Sequence, residues 1–175
     1  AAYLGAMLRL LIPLALVAAC SKDGVSARVR EALPAPALAA LQNAESVDLV
    51  SLYPNPRGYD EKEWAARGLD KAQKIDDYAV LGKTTLGDAD RDTVLGAFYQ
   101  GIDDSDGTVA ACFNPRHALT ANHAGKRYDI VICYQCLSMT VYENGERIGQ
   151  ALTTEAPKRT LNATLRAAKV RLPDR

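Results

Sequence analysis

The 175-residue chain is short of several things, and each shortage excludes a class of function. Its formal net charge is zero, 21 Lys and Arg against 21 Asp and Glu, so it carries no electrostatic footprint for nucleic acid. Aromatic residues make up 6%, with one Trp and two Phe, too few for platforms that stack bases. Only two His occur and no nucleophile elbow accompanies them, so no Ser-His-Asp arrangement can be nominated. There is no internal repeat, and no low-complexity tract beyond the Ala-rich stretch 31–44. The longest apolar run is too short for a membrane span, which takes roughly 20 apolar residues. What is present, 48% apolar and 24% charged residues, is ordinary for one globular domain with a sizeable core.

The N-terminal stretch carries an address. From Met7 the chain reads MLRLLIPLALVAAC. Arg9 supplies a short positive region, Leu10 to Val17 an apolar run broken only by Pro13, and Ala18-Ala19 the small residues before Cys20. This is the layout of a secretory signal peptide over residues 1–19. Residues 1–6 lack a Met and read as a start-site artefact. Val17-Ala18-Ala19-Cys20 resembles the bacterial lipobox, which implies cleavage before Cys20 and a lipid on its thiol. By the same resemblance Ser21, in place of Asp, favours the outer membrane, with the domain facing the periplasm. The plainer alternatives are an ordinary signal peptide or a buried N-terminal helix. Removing residues 1–19 would leave 156 residues with 20 basic groups against 21 acidic ones.

Residues 20–30 then read as a lipidated Cys and a polar tether, and 31–175 as a single domain. A helix is expected from about Pro36 to Ala44, where a first-turn proline is tolerated. Ser46–Tyr53 alternates and reads as a strand; Tyr78–Leu86 reads as a second. Between them, 59–75 is charged and expected to be loop with one helical turn near Trp64. Gly87-Asp88 caps a helix over 89–100, with Gly101 as its stop. The second half reads as β: 108–113, 117–122, a hairpin turn at 123–126, one long strand over 127–142, the Asn144-Gly145 turn, and 147–153. Residues 157–170 form an amphipathic helix with Leu161, Leu165 and Ala168 inward. The fold class is α+β: a mostly antiparallel sheet of five to six strands with two to three helices on one face.

Three cysteines remain beyond the anchor. Cys112, His117, Cys133 and Cys136 have the ligand types and count of a Cys₃His zinc site, because thiolates are soft and four ligands close a tetrahedron. His123 is an alternative ligand. Two arguments oppose the metal. Export leads to an oxidising compartment, where a disulfide is the commoner fate. On a continuous strand, residues three apart point to opposite faces, so Cys133 and Cys136 would not chelate one ion unless a bulge intervenes. A disulfide between Cys112 and one of that pair is easier to build, leaving one thiol over. A redox Cys-x-x-Cys is the third reading, without the helix N-terminus that would lower a thiol pKa.

Other signals are weaker. Arg116-His117 beside Asn114-Pro115 has the chemistry of an anion pocket, against the plainer reading of a satisfied turn with Arg116 bonding backbone carbonyls. Asp103, Asp104 and Asp106 lack the spacing and closing Glu of a calcium loop. Gly82-Lys83-Thr84-Thr85 lacks the leading glycine of a phosphate loop. Asn162-Ala163-Thr164 matches a glycosylation triplet that a bacterial lipoprotein would seldom use.

The segments Ala111-Cys112-Phe113-Asn114-Pro115-Arg116-His117 and Ile132-Cys133-Tyr134-Gln135-Cys136, with Tyr78–Thr84 and Ser105-Asp106-Gly107, resemble a group of small exported bacterial lipoproteins. The resemblance covers about residues 45–150. It implies that the Cys112/Cys133/Cys136 cluster is a shared feature of such domains and implies no particular activity. The sequence therefore leads first to a lipid-anchored periplasmic domain with a non-enzymatic binding or structural role. Its partners would be the membrane, through the lipid on Cys20, and a periplasmic protein. An immunity or inhibitor protein against a periplasmic toxin is a second reading. A zinc-binding or thiol-redox protein is a third, and zinc is the one cofactor the sequence points to.

Overall fold

Alternation of apolar side chains builds a sheet whose two faces are unequal. In the computed structural model, which describes residues 24–54 and 61–173, seven strands pair antiparallel in one sheet. They are β1 (Val47–Leu52), β2 (Lys74–Ile75), β3 (Tyr78–Thr85), β4 (His117–His123), β5 (Lys126–Cys133), β6 (Ser138–Glu143) and β7 (Glu146–Leu152). Their order is β2-β3-β1-β4-β5-β6-β7, so β1 sits between strands that follow it in sequence. Leu49 of β1 lies opposite Leu119 of β4, and Ser51 opposite His117.

Among the described residues, five helices accompany the sheet: α1 (Ala27–Ala32), α2 (Ala35–Asn43), α3 (Glu61–Ala66), α4 (Asp88–Asp103) and α5 (Pro157–Ala167). One face of the sheet meets the main core. There Val47, Leu49, Leu119, Ile130, Ile132, Met139 and Val141 pack with Val29 of α1, Leu38 and Leu41 of α2, Phe98 and Ile102 of α4, and Leu161 and Leu165 of α5. The opposite face has a smaller cluster around Val50, Leu52, Tyr78, Ala118 and Val131. It also carries hydrogen-bonded polar pairs: Lys83 donates to Asp48 at 2.6 Å, Thr120 to Asp129 at 2.6 Å, and Arg127 Nε to Asp129 at 2.8 Å. Orphan carbonyls at the end of α2 are met by the Arg91 guanidinium, which donates to Leu41 O at 2.7 Å and Ala44 O at 2.8 Å.

The class is α+β with a mostly antiparallel sheet, as the sequence indicates, with more strands and helices than expected. The signal segment 1–19 and Cys20 lie outside the described residues. Part of the expected tether belongs to the domain: Val25 and Val29 are buried in the main core, and Ser26 caps α1 by accepting the Val29 N–H. The expected strand 108–113 is irregular. Val109 is 55% exposed, and the segment forms no ladder: the Ala110 N–H donates to Cys136 O at 3.1 Å, and Phe113 O accepts the Tyr78 hydroxyl at 3.1 Å. The expected long strand 127–142 is two strands, β5 and β6, joined by a turn over residues 134–137 with Leu137 at φ 56°. Gly101 does not stop α4, which runs on to Asp103. Gly101 is there for space: a Cβ on it would lie 2.4 Å from Pro157 Cγ and 2.6 Å from Thr153 Oγ1. Ala168, expected inward, is exposed just beyond α5.

Candidate functional site

The turn that splits the long β run is what gathers the sulfurs. Because β5 ends at Cys133 and the chain turns over Tyr134-Gln135-Cys136, two side chains that a straight strand would send to opposite faces can meet. Cys133 and Cys136 form a disulfide. This corrects the expected pairing of Cys112 with one of the two: the turn removes the geometric objection on which that expectation rested.

Among the described residues Cys112 is the free cysteine, and it is exposed. The irregular segment before β4 is laid over the Cys turn by two backbone donors, Ala110 N–H to Cys136 O at 3.1 Å and Asn114 N–H to Cys136 Sγ at 3.4 Å. Between them, Cys112 Sγ stands 3.1 Å from Cys136 Sγ. The far sulfur, Cys133 Sγ, accepts the Cys136 N–H at 3.1 Å. Both bonded cysteines are fully buried, so of the three only Cys112 faces solvent.

His117 does not join this cluster as a ligand. It is 2% exposed on the helix-facing side of β4, and its Nε2 donates to Asn162 Oδ1 of α5 at 2.8 Å. Its ring meets that of Tyr134 edge-on, with centroids 5.4 Å apart. Burial pushes its pKa down to about 4; the nearby Lys158 and Arg116 charges act the same way, and the Asn162 bond opposes them. His123 closes the far end of β4, opposite Lys126. The four residues of the Cys₃His zinc reading are thus not brought together around one point. Two of its thiols are tied in a disulfide, which offers no thiolate to a metal, and its imidazole is engaged elsewhere. Among the described residues, no group of three or more His, Cys, Asp and Glu is arranged to hold a metal ion.

Compared with protein-family models, curated proteins and solved structures, the chain finds no match in any of the three.

Arg116 is placed differently from the reading the sequence favours. Its guanidinium reaches not a backbone carbonyl but Gln135 Oε1, at 3.5 Å, within the Cys-x-x-Cys turn. With His117 it lines a cavity whose other polar walls are Lys158, Asn162 and Arg166 of α5. Those three helix residues escape notice in the sequence, where Asn162 registers only as part of a glycosylation triplet. Their signal is the i, i+4, i+8 spacing, which sets them on one face of a helix. Lys83 of the discarded phosphate-loop echo pairs with Asp48 at 2.6 Å, and Asp106 of the discarded calcium loop accepts the Thr108 N–H at 2.9 Å. Among the described residues, no helix is long and apolar enough to cross a membrane.

Proposed function

We propose that this is an exported, lipid-anchored domain that performs thiol–disulfide exchange through Cys112, Cys133 and Cys136. The observation that carries the reading is the contact between an exposed free thiol and one sulfur of a buried disulfide, Cys112 Sγ to Cys136 Sγ at 3.1 Å. Exchange proceeds by thiolate attack on a disulfide sulfur, and its rate rises as the leaving thiol is better stabilised. Here Cys112, once deprotonated, forms a bond to Cys136 Sγ, and the Cys133–Cys136 bond breaks. The leaving Cys133 sulfur already accepts the Cys136 N–H, and it takes up the proton that Cys112 gave away. One thiol and one disulfide enter and one of each leaves, so no oxidant is consumed.

The consequence is a disulfide whose outer sulfur is accessible. A thiol of a partner protein attacks Cys112 Sγ, forming a mixed disulfide and releasing the Cys136 thiol. The partner's second thiol resolves that mixed disulfide and frees Cys112. The partner dithiol is oxidised by two electrons, and the domain, reduced by the same two, is left with three thiols. The two backbone donors, Ala110 N–H and Asn114 N–H, hold the segment on the turn and so keep Cys112 over its target for the first attack.

Disulfide mapping tests the reading. Purified domain at mildly alkaline pH, alkylated and digested, should contain both Cys133–Cys136 and Cys112–Cys136 linkages. A Cys133→Ser variant should hold only Cys112–Cys136, and Cys112→Ser should oxidise a dithiol peptide far more slowly than the parent. A parent mapping only to Cys133–Cys136, with Cys112→Ser undiminished in peptide oxidation, would overturn the proposal. So would stoichiometric zinc bound to the three sulfurs of the purified protein.

A further inference from the structure

Next to the Cys turn, between the start of β4 and the face of α5 that carries Lys158, Asn162 and Arg166, lies a cavity of about 480 Å³. That volume is in the range of small-molecule sites. Its charge is one-sided. Arg116 enters from the strand, Lys158 and Arg166 enter from the helix, and no carboxylate side chain is among its described lining residues. Among the described residues, the two arginines are not held in close ion pairs. Arg116 has only the 3.5 Å contact with Gln135, at the outer limit of a hydrogen bond. The Arg166 guanidinium has no hydrogen-bond or ion-pair partner among the described residues. Lys158 meets Glu155 at 2.7 Å, one turn back on the surface, where a 64% exposed carboxylate is well screened.

The buried wall of the cavity is polar too. Asn162 and His117 both line it and bond to each other. With Nε2 donating, the neutral imidazole presents a lone pair at Nδ1, and that nitrogen has no partner. Ser51, directly across β1 from His117, has an unpartnered buried hydroxyl as well. Solvated surface cations alone would be the plain account of Arg116, Lys158 and Arg166. It does not account for three of them converging on one concavity backed by a buried, half-satisfied imidazole.

We infer that this cavity binds a small oxyanion, a carboxylate or phosphate group held by the Arg116 and Arg166 guanidinium groups and Lys158. Arginine presents paired N–H donors that match two oxygens of such a group, and a one-signed concave wall concentrates the field on it. The Asn162 amide and the His117 imidazole supply neutral hydrogen-bonding groups behind the charges. This site does not depend on the exchange reading, because none of its residues is a cysteine.

Titration calorimetry on the full oxidised chain, at fixed ionic strength, distinguishes the ligand sources. Inorganic phosphate and succinate are the two probes. Saturable binding of one molecule per chain is expected for at least one, and the tighter of the two names the group. Arg116→Gln and Arg166→Gln should each weaken it about tenfold or more, as loss of a charged hydrogen-bond partner does. Cys112→Ser should leave it unchanged, so failure of the exchange proposal and failure of this one are separable. No saturable binding of either probe at millimolar concentration would overturn the site. Binding undiminished in the folded double variant Arg116→Gln/Arg166→Gln would do the same.

Discussion

The backbone of Gly101 in α4 and the ring of Pro157 at the start of α5 occupy the same narrow gap: a single added carbon on Gly101 would lie 2.4 Å from Pro157 Cγ. Thr153 Oγ1 stands 2.6 Å from the same point, so rigid groups crowd it from two sides. The contact sets how closely α5, with Lys158, Asn162 and Arg166, rides on the rest of the domain.

Gly101→Ala should therefore destabilise the fold, although alanine is the better helix former. Overpacking a well-filled contact costs about 1–3 kcal/mol, more than the propensity gain of about 1 kcal/mol. Urea denaturation monitored by circular dichroism checks the sign. A variant as stable as the parent or more so would show that α5 can shift without cost.

His117 ties stability to pH. Its folded-state pKa, pushed down to about 4 mainly by burial, lies below its ordinary 6.5. Between those values the unfolded chain binds more protons than the folded one. Stability is thus fully present above about pH 6.5, falls as pH drops toward 4, and levels off for this group below that. The full swing is on the order of 3 kcal/mol. Denaturation midpoints measured from pH 7 down to pH 5 should decline, and His117→Phe should flatten the decline. An identical slope in that variant would remove His117 as its cause.

The proposed lipid anchor at Cys20 makes a prediction about where the protein sits. Cys20→Ser should move the chain from the membrane fraction to the soluble periplasmic fraction on cell fractionation, because a lipid thioether at that residue is the proposed anchor. Unchanged membrane retention would refute lipid attachment at Cys20.

The features that could be read from sequence are those with a local cause. Ala124-Gly125 and Asn144-Gly145 turn with positive φ at both residues, and Gly or Asn at such positions marks a hairpin before any tertiary contact is known. Strand β1 and helices α4 and α5 were legible from periodicity, and α2 from its first-turn proline, to within a few residues at their ends. The turn over 134–137 was not. Tyr134, Gln135, Cys136 and Leu137 include neither Gly nor Pro, and the run on both sides is apolar and β-branched. What holds that turn is the Cys133–Cys136 bond formed across it and, from further along the chain, the Thr153 N–H donating to Leu137 O at 3.0 Å. Gly101 misled for a related reason, since a glycine required by a neighbouring helix looks the same in sequence as one that ends its own. At the candidate site, the three sulfurs and the Arg116-His117 pair stood out by residue type. Lys158, Asn162 and Arg166 did not, because a polar stripe on a surface helix is ordinary until something is seen to face it.

Strands β4 to β7 follow one another as successive hairpins, with no other element between them. Short-range closures come at the lowest entropic cost and are therefore the earliest to form. Cys133 and Cys136, three positions apart, come together when the β5–β6 hairpin closes. Cys112 reaches them only after the segment ahead of β4 has been laid across that hairpin. During maturation the buried pairing thus has a head start that owes nothing to its final stability, and any linkage involving Cys112 is a rearrangement made by an already folded protein.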